Sequence, residues 1–121
     1  MTTAQDLADR YAALWNEPDA EVRRTTIASL WRPDGVHYVK ERVAKGYPEL
    51  EERVTGSHQK NVRDKGNRFR ARPDAQRLRD VVMFTWEMLP RDSETVLATG
   101  FEVLVLDPDD RIVTDYQFIT A

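Results

Sequence analysis

The sequence predicts an α+β fold: three helices in the N-terminal half, packed on a mostly antiparallel sheet that curls around a pocket. Three observations carry this. Apolar residues recur at helical spacing up to about residue 64 and at alternating spacing after it. The later strands are separated by short, turn-rich breaks, as in a meander. The longest strand has two partly apolar faces, so something covers each side, and helices segregated to one face of such a sheet define the class.

The elements follow in order. Residues 3–15 read as a helix, with Leu7, Tyr11 and Leu14 on one face and Trp15 beside them. Pro18 in "NEPD" ends it. A second helix runs from about Asp19 to Trp31, with Val22, Ile27, Leu30 and Trp31 inward. "RPDG" has the residues of a turn, and "VHYV" those of a short strand. Which of His37 and Tyr38 faces inward stays open. Gly46 breaks the chain, Pro48 suits a first helical turn, and a third helix spans Pro48–Asp64, stopping near Lys65-Gly66. Its stripe is Leu50, Val54, His58 and Val62, so a histidine preceded by the poor helix formers Gly56 and Ser57 takes an aliphatic position. "RFRA" is a short strand. "LRDVVMFTWEML" is a long one, with Leu78, Asp80, Val82, Phe84, Trp86 and Met88 on its more apolar face. "PRDSE" is a hairpin loop, and "TVLATGFEVLVLD" and "RIVTDYQFIT" are strands joined by the turn "DPDD".

The chain has 121 residues, the length of a single domain (1–121), and no cysteine, which excludes disulfides and thiolate chemistry. "MTTAQDLADRY" lacks the basic and apolar regions of a signal peptide. No apolar run reaches the roughly 18 residues of a membrane span, so the expected setting is cytoplasmic, without a membrane. A net charge of −3 argues against general nucleic-acid binding. Residues 59–79 do hold eight of the 18 Lys/Arg and two of the 21 Asp/Glu. A block of that kind can bind an anion, but alternating arginines in "RFRAR" also fit one charged face of an edge strand.

"YAALWN" opening the first helix, "DGVHYV" after the second, and "DRI…QFI" closing the last strand resemble the nuclear transport factor 2-like superfamily. "GYPELEERVTGSH", "VVMFTWEM" and "ATGFEVLVLDPDDRI" make the chain similar to its SnoaL-like members, named for a polyketide cyclase. The resemblance implies a cone-shaped, cystatin-like α+β roll with an internal pocket for a small, largely hydrophobic ligand, and a homodimer formed through the outer sheet face. Where such proteins carry glycine in the final turn, this chain has Asp110. Ketosteroid isomerases of the superfamily donate hydrogen bonds to a substrate oxyanion from a tyrosine and a protonated aspartate. The resemblance puts Tyr11 and Glu102 at those positions. It puts Val39 where their general-base aspartate stands, and valine cannot take a proton. It also places Gln117 and Ile119 on the pocket side and His58 on a lining helix.

The candidate catalytic residues are therefore His58, Asp80, Tyr11 and Glu102. Histidine as a side chain can gain or lose a proton near neutrality, so His58 would be the base. Asp80, a carboxylate on an apolar strand face, would need a partner and could orient the imidazole. Tyr11 and Glu102 would donate protons or hydrogen bonds. Trp86, Phe84, Trp15 and Val39 would form the ligand-binding wall, with Gln117 and Asp115 as polar tips. No HxxxH or HxH spacing points to a metal, and no GxGxxG, P-loop or GxSxG to a cofactor or a serine nucleophile, so none is expected. Two readings stay open: acid–base isomerisation, cyclisation or hydrolysis, or a non-catalytic binding or accessory protein with the same pocket.

Overall fold

The structure, a computed structural model, describes residues 3–120. Helix α1 (Ala4–Asn16) begins in a capping box: Thr3 Oγ1 accepts from the Asp6 amide, and Asp6 Oδ2 accepts from the Thr3 amide. Helix α2 (Ala20–Leu30) is capped by Asp19, whose Oδ1 accepts from the Glu21 and Val22 amides. Strands β1 (Trp31–Val39) and β2 (Arg42–Lys45) form a hairpin, followed by helix α3 (Gly46–Ser57). The last helical turns, His58–Asp64, are π-helical, and Gly66, at φ +69°, ends them. Strands β3 (Asn67–Ala71), β4 (Gln76–Leu78), β5 (Val81–Pro90), β6 (Ala98–Leu106) and β7 (Ile112–Ile119) complete the chain.

The seven strands form one sheet in the order β2-β1-β7-β6-β5-β3, with β4 also paired to β5. Every pairing is antiparallel except β1 with β7. The expected α+β roll is therefore present. Helix α1 lies on the concave face, where Leu7, Tyr11, Leu14 and Trp15 pack with Ile27, Leu30, Trp31, Val82, Phe84, Leu104 and Ile112.

Three details differ from the sequence reading. "RPDG" is not a separate turn but an irregularity within β1: five steps from Trp31 to Val36 span two on β7, from Ile112 to Thr114. "LRDVVMFTWEML" is not one strand. Arg79, at φ +55°, turns the chain so that Leu78 pairs with Val81 and β4 folds back on β5. "RVAK", unassigned from sequence, is β2, reached through Lys40 at φ +51°. Asp110 does adopt the left-handed conformation, at φ +61°.

One glycine is required by close approach. Trp86 pairs with Gly100 across β5 and β6, and a Cβ at Gly100 would overlap the Trp86 indole and the Phe118 carbonyl. The absence of a side chain there lets the indole lie flat on the sheet and form a wall.

Five of the eight basic residues of the stretch, Arg63, Arg68, Arg70, Arg72 and Arg77, are held in ion pairs. Arg70 and Arg72 each donate from Nε to Glu87 at 2.9 Å, and Glu94 joins Arg68 and Arg70. Burial opposes ionisation of Glu87, but the hydrogen bonds from Arg70 and Arg72 outweigh it and hold the carboxyl below its usual range. This explains why Glu87, on the outward parity of β5, is buried.

Candidate functional site

Strand parity and register assemble the polar centre. Two successive inward rows cross the sheet: Phe84, Glu102, Gln117 and Val39 in one, and Val82, Leu104, Asp115, His37 and Ala44 in the next. Four of these residues, Glu102, Gln117, Asp115 and His37, are adjacent and polar. His37 is thus the inward residue and Tyr38 the outward one, and all but Gln117 are buried. Above them, one turn from Trp15, helix α1 delivers Tyr11.

Tyr11 binds both acids. Its hydroxyl lies 2.6 Å from Asp115 Oδ2 and 3.0 Å from Glu102 Oε2. A phenol has one proton. The shorter contact is in the range of a bond to a carboxylate, so Tyr11 donates to Asp115 and accepts from a protonated Glu102. Electrostatics agree. Burial, then the Asp115 charge, hold the Glu102 carboxyl well above the usual carboxylate range, and burial with both acids raises the Tyr11 phenol. The result is a directed chain from Glu102 through Tyr11 to Asp115.

His37 extends it. Nε2 lies 2.9 Å from Gln117 Oε1 and 3.8 Å from Asp115 Oδ2. With acceptors on both sides, Nε2 carries the proton. Burial lowers the imidazole pKa against the pull of Asp115, which favours the neutral ring.

This centre lies at one end of a cavity of about 920 Å³. Tyr11, His37, Glu102 and Gln117 line it, Trp15, Trp86, Phe69 and Met88 supply apolar wall, and Arg53 enters from α3. The α3 side also contributes Glu49, Glu52, Gly56, Ser57, Lys60 and Asn61. A Cβ at Gly56 would meet nothing within 4 Å, so this residue leaves open space.

The structure separates two of the residues expected to act together. His58 is buried and does not line the cavity; its Nδ1 lies 3.0 Å from the Trp15 carbonyl. A carbonyl only accepts, so His58 donates and caps one of the free carbonyls at the end of α1. Asp80 is exposed in the Arg79-Asp80 turn, because β4 folds back instead of continuing β5. They form no dyad. Of the expected ligand wall, Trp86, Trp15 and Gln117 line the cavity. Phe84 and Val39 are packed beneath it, and Phe84 meets the Tyr11 ring edge-on at 5.6 Å. Asp115 is fully buried behind Tyr11, and Ile119 is exposed near the end of β7.

His37 and Arg53 were not among the candidates. Arg53 could have been found from its spacing: Glu49, Glu52, Arg53, Gly56, Ser57, Lys60 and Asn61 follow helical intervals beside the Leu50–Val54 stripe. His37, Glu102 and Asp115 each offer a ligand atom, all within 4.8 Å of one another. The set has the chemistry of a divalent-metal site; the Tyr11 hydroxyl bonds Asp115 Oδ2 and Glu102 Oε2, while Asp115 Oδ1 and His37 Nδ1 are buried without a hydrogen-bond partner among the described residues.

The proton on Glu102 has a sign that can be measured. The ordinary glutamate value is 4.5. Below it both folded and unfolded chains hold the proton. Above it only the unfolded chain releases it, so this group costs stability as pH rises, by up to about 1.4 kcal/mol per pH unit, until the folded carboxyl ionises. His37 acts oppositely, costing stability as pH falls below 6.5. Glu102→Gln keeps a donor toward Tyr11 but removes the titration. The variant is expected to gain stability over the wild type as pH rises from about 5 to about 7, in urea unfolding at each pH. A difference independent of pH would contradict a protonated Glu102; the His37 contribution cancels between the two proteins.

No protein-family model matches the sequence, and no curated protein is similar to it at sequence level. Solved structures are similar. A SnoaL-like family protein from Agrobacterium tumefaciens, described as a candidate isomerase, superposes with a TM-score of 0.88 over all of both chains at 24% identity. A candidate polyketide cyclase from Sinorhizobium meliloti matches at 0.64 over 93% of each chain with 14% identity. An NTF2-like protein with a cystatin-like fold from Novosphingobium aromaticivorans matches at 0.65, over 95% of this chain and 78% of its own, with 21% identity. At these identities the likeness is one of fold: the chain has the cystatin-like α+β fold of the SnoaL-like and NTF2-like proteins.

Proposed function

We propose that this protein is an acid–base enzyme acting on a small, largely apolar molecule through an oxygen function such as a carbonyl, enol or epoxide. The observation that carries this reading is the Glu102–Tyr11–Asp115 chain at the cavity end. Two donors from different elements converge there, and burial keeps one of them, a carboxylic acid, protonated. An oxygen entering the site would receive the Glu102 proton or hydrogen bond. Glu102 would give its proton to that oxygen while its second carboxyl oxygen takes a proton from a neighbouring carbon, so the acid stays neutral. Tyr11 holds the carboxyl in place and keeps its hydrogen on Asp115. A C–H bond is exchanged for an O–H bond, the enolisation an isomerisation requires. The descriptions of two structural relatives as an isomerase and a cyclase are in keeping with this chemistry.

One observation favours a second reading, a binding or accessory protein: the Tyr11 proton and His37 Nε2 are already engaged internally. The two readings separate in one experiment. Solvent-deuterium exchange α to the carbonyl is followed by NMR across a panel of cyclic and aryl ketones. The enzyme reading expects exchange above the buffer rate for some member, reduced about 10²-fold by Tyr11→Phe. Thermal stabilisation by panel members with exchange at the buffer rate throughout would favour the binder.

We also propose a homodimer through the outer sheet face. Met83, Val103, Tyr116, Tyr38 and Val43 form one outward row across five strands, with Tyr38 and Tyr116 stacked at 5.5 Å. Phe101 and Phe118 are exposed beside it. A contiguous apolar surface of this kind marks an interface. Light scattering is expected to give about twice the 14.1 kDa chain mass, and Tyr116→Arg about once. A monomeric wild type at micromolar concentration would refute the dimer.

A further inference from the structure

Half-buried Arg53 has an environment unlike that of Arg23 and Arg111. Its guanidinium carbon stands 5.0 Å over the Trp15 ring, and it lines the cavity. It forms no ion pair among the described residues. Its Nε is buried without a hydrogen-bond partner, as are those of Arg23 and Arg111, but its terminal nitrogens also make no hydrogen bond among the described residues. Arg23 and Arg111, also enclosed, each give a terminal nitrogen to a backbone carbonyl. A largely desolvated cation with no acceptor is costly, and a planar carboxylate satisfies it through two parallel hydrogen bonds.

We infer that the cavity takes an amphipathic carboxylic acid: Arg53 holds the carboxylate, and Trp15, Trp86 and Phe69 hold a rigid apolar body. The inference rests on the proposed small-molecule role of the cavity and names the class of molecule. The charges facing Arg53 are consistent with it. Glu102 is protonated, and Asp115 is bonded to Tyr11 behind the cavity surface. Of the lining acids on α3, Glu49 accepts from the Lys45 amide and Glu52 is exposed. Arg42 and Lys60, which also line the cavity, add positive charge that draws an anion inward. The cavity volume falls within the ordinary range for a small ligand. Stacking against Trp15 fixes the plane of the guanidinium and so pre-orients its fork.

The test is a matched pair differing only in charge: 2-naphthoate against 2-naphthamide, titrated calorimetrically into wild type and Arg53→Met. The wild type is expected to bind the carboxylate at least about tenfold more tightly. Arg53→Met, which keeps an apolar stem over Trp15, is expected to bring the ratio to about one, with the larger loss on naphthoate. Equal affinities in the wild type, or a preference that survives in Arg53→Met, would overturn the carboxylate assignment and leave the cavity reading standing. Binding of neither compound at millimolar concentration would overturn both. Equal affinities in the wild type overturn the assignment even where the substitution disturbs folding.

Discussion

The hydroxyl of Tyr11 holds two buried acids that would otherwise repel one another. Glu102 and Asp115 are removed from water on adjacent strands. Two ionised carboxylates so placed would be far too costly for a domain of this size. One retained proton and one phenol resolve the conflict: Glu102 stays neutral, and Asp115 receives the Tyr11 hydrogen. The same bonds fasten α1 to β6 and β7, so helix placement and acid chemistry are one constraint. Around Tyr11, contacts with Trp15, Trp31 and Phe84 at 5.6–5.9 Å lock the ring.

From that point the molecule divides. On one side lies a dry core of Leu7, Ile27, Leu30, Val82, Leu104 and Ile112. On the other the sheet and α3 diverge and leave the cavity. The π-helical turns from His58 to Asp64 lie along this side, and such widened turns are often found at functional sites. His58 joins the two halves without entering the cavity, by closing the end of α1. A histidine read as a base thus has a structural duty, while His37, whose facing the sequence left open, stands in the polar centre.

Much of the fold was legible because it depends on local periodicity. Alternation put Asp115 and Gln117 on one face of the last strand. The superfamily resemblance added the pairing of Tyr11 with Glu102. What was not legible depends on single backbone dihedrals and on register. A left-handed Arg79 broke the longest strand, carrying Asp80 to solvent. Nothing in alternation announces such a break, since arginine seldom takes that conformation. Helix α3 misled in a different way. Its apolar stripe faces the core, whereas the cavity meets the neighbouring polar stripe, where Arg53 looked like an ordinary wet residue. Buried polar groups that await a ligand have the same sequence signature as a solvated face.

The central claim is that Glu102 is a neutral acid at physiological pH because burial, and then the neighbouring Asp115 charge, oppose its ionisation. Carbon-13 NMR of protein labelled at the glutamate side-chain carboxyl, titrated from about pH 3 to 8 and assigned with Glu102→Gln, reads its protonation directly. The account predicts one glutamate resonance, absent from Glu102→Gln, that keeps its protonated shift through neutral pH. If the Glu102 resonance titrates with the others, Glu102 carries a charge at neutral pH, and the proton chain through Tyr11 does not exist.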